Sequence, residues 1–354
     1  MTKRLLFILF SIFFLSSVSA QIGGQYVFSF LKQMPSARLT GLSGSQIALR
    51  DDDLALAFQN PAHLNSAMHN ALTYNQNFLL GGIKSGYFGY GYHLDKIKTT
   101  FQTGIQFITY GTFKQADELG NVNGEFKASE YAFTLGAGRQ INERLSAGIN
   151  LKYIASQLEA YRSTGLVADL SGAYWHEEKK FGAAVVFRNI GAQLSSYEGN
   201  GYTGKKEDLP LDIQIGFTKK LKKAPFRLSA LLHDLNRWDM RYDNPLDNET
   251  SLLGEAPSEP SKLSQELNNF FRHLSVGGEL IFGKTEVVRV RIGYSHQVRK
   301  ELNISNVRSF SGFSLGVGFK VNRFRVDYGM GRQHLAGGTT HLSISTNFSE
   351  FRKK

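Results

Sequence analysis

Beyond about residue 70 the chain alternates apolar and polar positions with a period of two, the mark of β-strands whose two faces meet different surroundings. In Phe313-Ser-Leu-Gly-Val-Gly-Phe-Lys-Val321 every odd position is oily, while Ser314, Gly316, Gly318 and Lys320 are small or polar. Val288, Val290, Ile292 and Tyr294 alternate in the same way with Arg289, Arg291 and Gly293. So do Tyr131, Phe133, Leu135 and Ala137 with Ala132, Thr134, Gly136 and Gly138. Segments of this kind fall at about 71–80, 84–94, 99–110, 130–139, 144–157, 164–175, 180–189, 211–218, 226–234, 272–283, 286–296, 309–320, 323–330 and 340–348. They number fourteen, and all 7 prolines lie outside them, as strands that need every ladder donor require.

The connections alternate in length. Tight ones follow even-numbered segments (Gln140–Glu143, Gly283–Thr285, Asn322), and longer ones follow odd-numbered segments (Gly111–Ser129, Ile190–Pro210, Leu235–Phe271), with Gly81–Ile83 a short exception. This asymmetry predicts an all-β fold: a 14-stranded antiparallel transmembrane β-barrel over residues 71–354, with tight turns on the periplasmic side and long loops outside. A closed barrel leaves no backbone polar group unpaired in hydrocarbon, and strands of about 9–11 residues are long enough to cross.

Composition agrees. The 354 residues include 36 Gly, 27 Phe and 15 Tyr, which supply a small lumen face and an aromatic lipid face. The absence of Cys excludes disulfide frameworks, thiolate metal sites and lipid-carrying cysteines. Mean hydropathy of -0.24 excludes a multi-span helical membrane protein. The one long apolar run, Leu5–Leu15, follows Lys3 and Arg4 and precedes Ser17-Val-Ser-Ala20, so residues 1–20 read as a signal peptide cleaved after Ala20. An exported chain has no use for its +11 net charge on nucleic acid, and the charges are sorted. Lys219, Lys220, Lys222 and Lys223 crowd one predicted periplasmic turn. The longest outer loop is acidic, with Asp239, Asp243, Asp247 and Glu249 as candidate partner-binding residues, and a short helix is expected over Lys262–Phe271. A loop of that length points to binding.

Residues 21–70 predict a short strand, a turn and a helix over Leu54–Phe58, together a plug in the barrel mouth. Asp51-Asp52-Asp53 suits polar capping of that helix better than calcium. Ser29-Phe-Leu-Lys32 fits an acyl-enzyme S-x-x-K pattern and Gly199–Lys206 approaches a P-loop, but neither has its companion motifs, so no catalytic residue, cofactor or metal is expected.

Ser36-Ala-Arg-Leu-Thr-Gly-Leu-Ser-Gly-Ser45, the aspartate run and Asn60-Pro61-Ala62 resemble the N-terminal signature of the long-chain fatty-acid transporter superfamily of outer-membrane barrels. Within it, Gly24–Leu31, Pro35–Arg38, Gln59–Ala62, Tyr110–Phe113, Asp117–Val122 and Arg188-Asn-Ile-Gly191 resemble the PorQ family of the type IX secretion system. The resemblance implies a fourteen-stranded barrel with an N-terminal hatch. It also implies an anchor for the cell-surface attachment complex, whose other parts are a sortase-like peptidase, a shuttle barrel and a surface-exposed partner, and which joins cargo to lipopolysaccharide. The alternative from the parent superfamily is a transporter of long-chain fatty acids or other hydrophobic compounds, which predicts an apolar pocket near the hatch and a kink in the wall.

Overall fold

In the computed structural model fourteen antiparallel strands close into one ring. The structure describes residues 26–44, 46–117, 119–199, 201–240, 261–283, 286–302, 310–334 and 337–352; the expected signal segment lies outside them. The strands are β1 (Ala71–Phe78), β2 (Lys84–Leu94), β3 (Thr99–Ala116), β4 (Val122–Gln140), β5 (Leu145–Leu158), β6 (Tyr161–His176), β7 (Phe181–Gly199), β8 (Asp212–Lys220), β9 (Phe226–Leu232), β10 (Leu274–Phe282), β11 (Val288–Ser295), β12 (Phe313–Val321), β13 (Phe324–His334) and β14 (Gly337–Asn347). Each pairs with its sequence neighbours, and β14 pairs with β1 from Ala71↔Asn347 to Phe78↔Thr340. Tyr202–Thr203 only folds back on the end of β7 and is no part of the ring.

Exposure alternates along the strands as the sequence pattern requires. Leu135 is 67% exposed on the outer face while its neighbour Thr134, at 1%, faces the lumen. Phe133, Leu151, Tyr153, Leu166, Ile292, Leu315 and Phe319 continue the outward apolar belt. In a water-soluble sheet these residues would form the core; here they face the hydrocarbon.

Two of the expected long loops are strand instead. Thr112–Lys127 and Phe113–Phe126 are paired, so β3 and β4 continue as a ribbon and the loop shrinks to 117–121. Likewise β7 runs on to Gly199, paired with β6 as far as Arg162↔Glu198. Residues 111–116 are exposed on both faces, as strands that stand clear of the membrane are, and they lack the one-sided apolar pattern that reveals a membrane strand. The wall is therefore uneven: β3–β7 are 14–19 residues long, β8–β12 only 7–9.

Residues 26–70 fill the lumen. Among the described residues of this segment no strand forms; in its place is helix α1 (Ala37–Gly41), capped by Ser36, whose Oγ accepts from the Leu39 N–H. A lone strand inside a closed barrel has no partner for its backbone, whereas a helix satisfies its own. Helix α2 (Leu54–Gln59) forms as expected, and Asp53 caps it through an N–H···O bond of 3.1 Å from Ala55. Outside the lumen the described residues form three further α-helices, α3 (Lys262–Arg272), where the short helix was expected, α4 (His296–Glu301) and α5 (Ser349–Arg352).

Candidate functional site: a charged lumen closed by the plug

Three neighbouring strands set Arg227, Glu279 and Arg291 side by side on the lumen face, in register as Arg227↔Glu279 and Glu279↔Arg291. Glu279 accepts from Arg227 Nη1 at 2.7 Å and from Arg291 Nε at 2.8 Å. From the plug, Arg38 Nη2 reaches the same carboxylate at 3.2 Å, while its Nη1 donates to Asp51 at 2.6 Å and Asp53 at 3.1 Å. Arg291 continues to Asp327 at 2.6 Å, Arg289 pairs with Glu286, and Arg325 with Asp52 at 3.2 Å. Five guanidinium groups thus meet six carboxylates in one web, buried except at its Asp52 end, that ties plug to wall. Burial alone would lower the Arg38 value, but Asp51, Glu279 and Asp53 hold the guanidinium well above its ordinary pKa. Burial likewise opposes the charge on Asp51, yet Arg38 and Arg289 bring its carboxyl below the usual range, whereas burial leaves Asp53 raised. Because the Arg38 guanidinium sits between the carboxylates of Asp51 and Asp53, the aspartate run serves as cap and ion-pair acceptor, not as a calcium loop.

Glycines on the wall make room for the web and the plug. A Cβ at Gly318 would stand 2.0 Å from Asp327 Oδ1, on the path Arg291 takes to that carboxylate. At Gly329 it would meet the Ala37 carbonyl at 2.2 Å, and Gly41 of α1 lies against Gly316. Across the barrel, Asn60-Pro61-Ala62 makes a tight turn. Asn60 Oδ1 accepts from the Ala62 N–H at 3.0 Å and its Nδ2 donates to the Ile47 carbonyl at 2.5 Å, while Pro61 opens a 3₁₀ turn. The turn seats on Gly138 and Gly148, where a Cβ would fall 2.2 Å from the Pro61 oxygen and 2.3 Å from its carbonyl carbon. Gln102 and Asn150 from the wall donate to the last carbonyls of α2, those of Ala57 and Phe58.

Arg188-Asn189-Ile190-Gly191 marks a kink. Pairing of β7 with β8 ends at Arg188↔Asp212, and its register with β6 shifts between Ala168 and Leu170. Asn189 takes a left-handed φ of 58°, its N–H donates to Asp169 Oδ1 at 2.9 Å, and its side chain donates to the Pro210 carbonyl. Asp169 is held by a fully buried Lys152 at 2.6 Å, whose ammonium lies 5.0 Å above the Phe58 ring of the plug. Above this kink, between plug and wall at the outer end, lies a cavity of about 220 Å³ lined by Lys32, Arg188, Asp212, Gln214, His233 and Asp234 among others. Its lining mixes charged with apolar side chains, Leu231, Val298 and Phe313 among the latter, and Lys32 ties the plug to the wall there through Asp234 at 2.7 Å.

The expected site residues fall apart in space. Asn60, Pro61 and Ala62 are buried in the lumen. Asp239 is exposed at the outer end, and Asp243, Asp247 and Glu249 lie outside the described residues. Ser29 donates to the Tyr26 carbonyl and Lys32 turns to Asp234, so the S-x-x-K pair is not a catalytic unit. The lumen charges Lys152, Arg289 and Arg291 were readable from alternation; Glu279, the acid that gathers three arginines, was not singled out. Its signal was available: one carboxylate in the otherwise apolar and small run Leu274–Phe282.

No family model matches the chain, and no curated protein matches it. Solved structures do. The monoaromatic hydrocarbon channel CymD is 13% identical with a TM-score of 0.52, over 90% of this chain and 97% of that one. A mutant of the monoaromatic hydrocarbon channel TodX, a Pseudomonas putida protein, is 12% identical with a TM-score of 0.53, over 89% of this chain and 97% of that one. The chain shares its barrel fold with these channels.

Proposed function

We infer that this chain is a non-catalytic outer-membrane barrel stopped by its own N-terminal segment, serving type IX protein secretion as an anchor on which the cell-surface attachment complex assembles. The observation that carries this reading is the buried web of Arg38, Asp51, Asp53, Glu279, Arg227 and Arg291, which fixes the plug to the wall at several points and fills that part of the lumen with paired charge. The motifs shared with the PorQ family, among them the Asn60-Pro61-Ala62 seat and the Arg188–Gly191 kink, support the specific assignment. Partners on this reading are the sortase-like peptidase, the shuttle barrel and the surface-exposed protein, with lipopolysaccharide as the neighbouring lipid; the acidic loop from Asp239 is the docking surface. Affinity isolation of the barrel from outer membranes tests it. The surface-exposed partner should co-purify with the full chain and be lost when residues 241–260 are deleted, a change that spares α3. A barrel recovered alone, with secretion intact in its absence, sinks the reading.

A second reading is transport of small hydrophobic molecules. It draws on the fold likeness to hydrocarbon channels over nine-tenths of the chain, which favours it over the first, and on the kink at Ala168–Leu170, a wall irregularity that a lateral exit needs. Against it, the apolar hollow of about 530 Å³ bounded by Tyr90, Tyr92, Phe101, Leu135 and Leu151 is formed on the lipid-facing wall, while Lys32, Arg188, Asp212 and Asp234 bring charge to the cavity beside the plug. Saturable toluene or fatty-acid uptake into liposomes carrying the barrel, altered by plug mutations, would establish transport.

A further inference from the structure

Helix α3 is amphipathic the wrong way round for water. Its amide face is the buried one: Asn269, 3% exposed, donates to the Trp238 carbonyl at 2.6 Å and accepts from the Met240 N–H at 3.0 Å, and Arg272 donates to the Met240 carbonyl at 3.2 Å. Asn268 meets His296 of α4 at 3.2 Å on the same side. The opposite face carries Leu263, Leu267, Phe270 and Phe271, which are 70%, 49%, 39% and 44% exposed. Spacing of i, i+4, i+7 and i+8 makes these one continuous stripe, the stripe that a surface helix normally turns to its core.

Contacts show what the stripe continues into. Phe271 lies 5.9 Å from the His296 ring, His296 6.3 Å from Tyr294, and Tyr294 4.9 Å from Phe313. Tyr294 and Phe313 are register partners on the outward faces of β11 and β12, so the stripe joins the lipid-facing surface of the barrel without a break. Helix α3 leads straight into β10, whose nine residues are only just enough to span the hydrocarbon, which sets the helix at its outer edge. Trp238 stands beside it, 52% exposed and stacked on His273 at 5.2 Å, an aromatic at the depth where interfacial rings collect. Lys262, Arg272, Arg299 and Lys300 place cations at the same end, suited to phosphate-bearing headgroups.

We propose that α3 is a membrane-interface helix: its Leu263–Leu267–Phe270–Phe271 stripe is seated in the outer leaflet, and its partner is the lipid surface. The helix thereby pins the start of β10, next to the Glu279 web, and holds the base of the acidic loop at the membrane.

The chain has no Cys, so a single spin label reports its own position. Leu267→Cys and Glu266→Cys, each labelled with a nitroxide, are compared in the full chain reconstituted into vesicles of phosphatidylcholine and phosphatidylglycerol, after heat-shifted gel mobility has shown that each is folded. Position 267 should be relaxed by oxygen in preference to aqueous nickel chelate, and position 266 the reverse. Preference for nickel at 267 puts the stripe in water and overturns the proposal; inaccessibility to both at 267 puts it against protein and overturns it equally. A label-free check uses Trp175→Phe, which leaves Trp238 as the sole tryptophan. Its fluorescence should fall on adding lipids brominated near the headgroup end of the chain, and unchanged emission would count against the seating.

Discussion

Glu279 holds three guanidinium groups with one carboxylate, so its loss strands charge on both sides of the plug–wall boundary. Breaking a buried pair by removing one partner costs about 3–5 kcal/mol. Glu279→Gln should therefore lower the heat-modified gel transition and open residues 36–60 to protease, whereas Arg38→Met, which removes only the plug's share, should expose the plug with a smaller change in the barrel transition. The seat of the Asn60-Pro61-Ala62 turn is tested by Gly148→Val, whose new carbons collide with the Pro61 carbonyl. Overpacking of this kind costs about 1–3 kcal/mol, read as faster hydrogen exchange of residues 60–64. A third consequence concerns pH. Burial lowers His63 from 6.5 to about 4, and its Nε2 donates to the Ile47 carbonyl at 2.5 Å. The folded state then binds fewer protons than the unfolded one between those values, so plug stability falls as the pH drops from 6.5 toward 4, by about 3 kcal/mol in all. Exchange protection of residues 46–64 should weaken over that window, and His63→Gln should flatten the dependence. Of this chemistry, the sequence disclosed which charges face inward, because alternation assigns a face. It did not disclose who pairs with whom, because the meeting of Arg227, Glu279 and Arg291 depends on the register of three strands and on Arg38 arriving from far away in the chain.

All fourteen membrane-crossing segments were legible because each buries one face in the lumen and shows the other to lipid, the condition under which a period of two survives. The ribbons beyond the membrane were read as loops for the opposite reason. Thr112–Ala116 is solvated on both faces, so Lys114 and Gln115 look like loop residues although Lys114↔Glu125 and Gln115↔Gly124 are paired. Helix α1 was missed because five residues carry too little periodicity; Ser36 as a cap was its one local sign. The two environments of one strand pair make a direct comparison. Leu135→Lys, on the lipid face of β4, should cost about 2–4 kcal/mol in folding into vesicles. Phe113→Lys, on β3 in the ribbon, loses only its stack on Phe126 at 5.3 Å, on the order of 0.2–1 kcal/mol. Equal penalties would mean that the ribbon, too, lies in the bilayer.

At the scale of the molecule, the web decides between a stopper and a gate. Its members come from the plug (Arg38, Asp51, Asp52, Asp53) and from the short side of the wall, β9 to β13 (Arg227, Glu279, Arg289, Arg291, Asp327, Arg325), while the tall side, β3 to β7, holds the plug through the Pro61 seat, Gln102, Asn150 and the Lys152–Asp169 pair. A plug clamped from both sides has no single hinge about which to swing, so the wild-type barrel should be nearly silent in planar bilayers and Glu279→Gln should leak ions. The two readings of function then separate. An anchor needs its outer surface and not its lumen, so Glu279→Gln should keep the surface partner while leaking. A hydrocarbon channel works through the lumen and the kink at Asn189, so the same change, or Asp169→Asn, should alter uptake as strongly as it alters conductance. Measured together on one set of vesicles and one set of outer membranes, partner loss on deleting 241–260 with no change in saturable uptake follows only from docking, and loss of saturable uptake in Asp169→Asn with the partner retained only from transport.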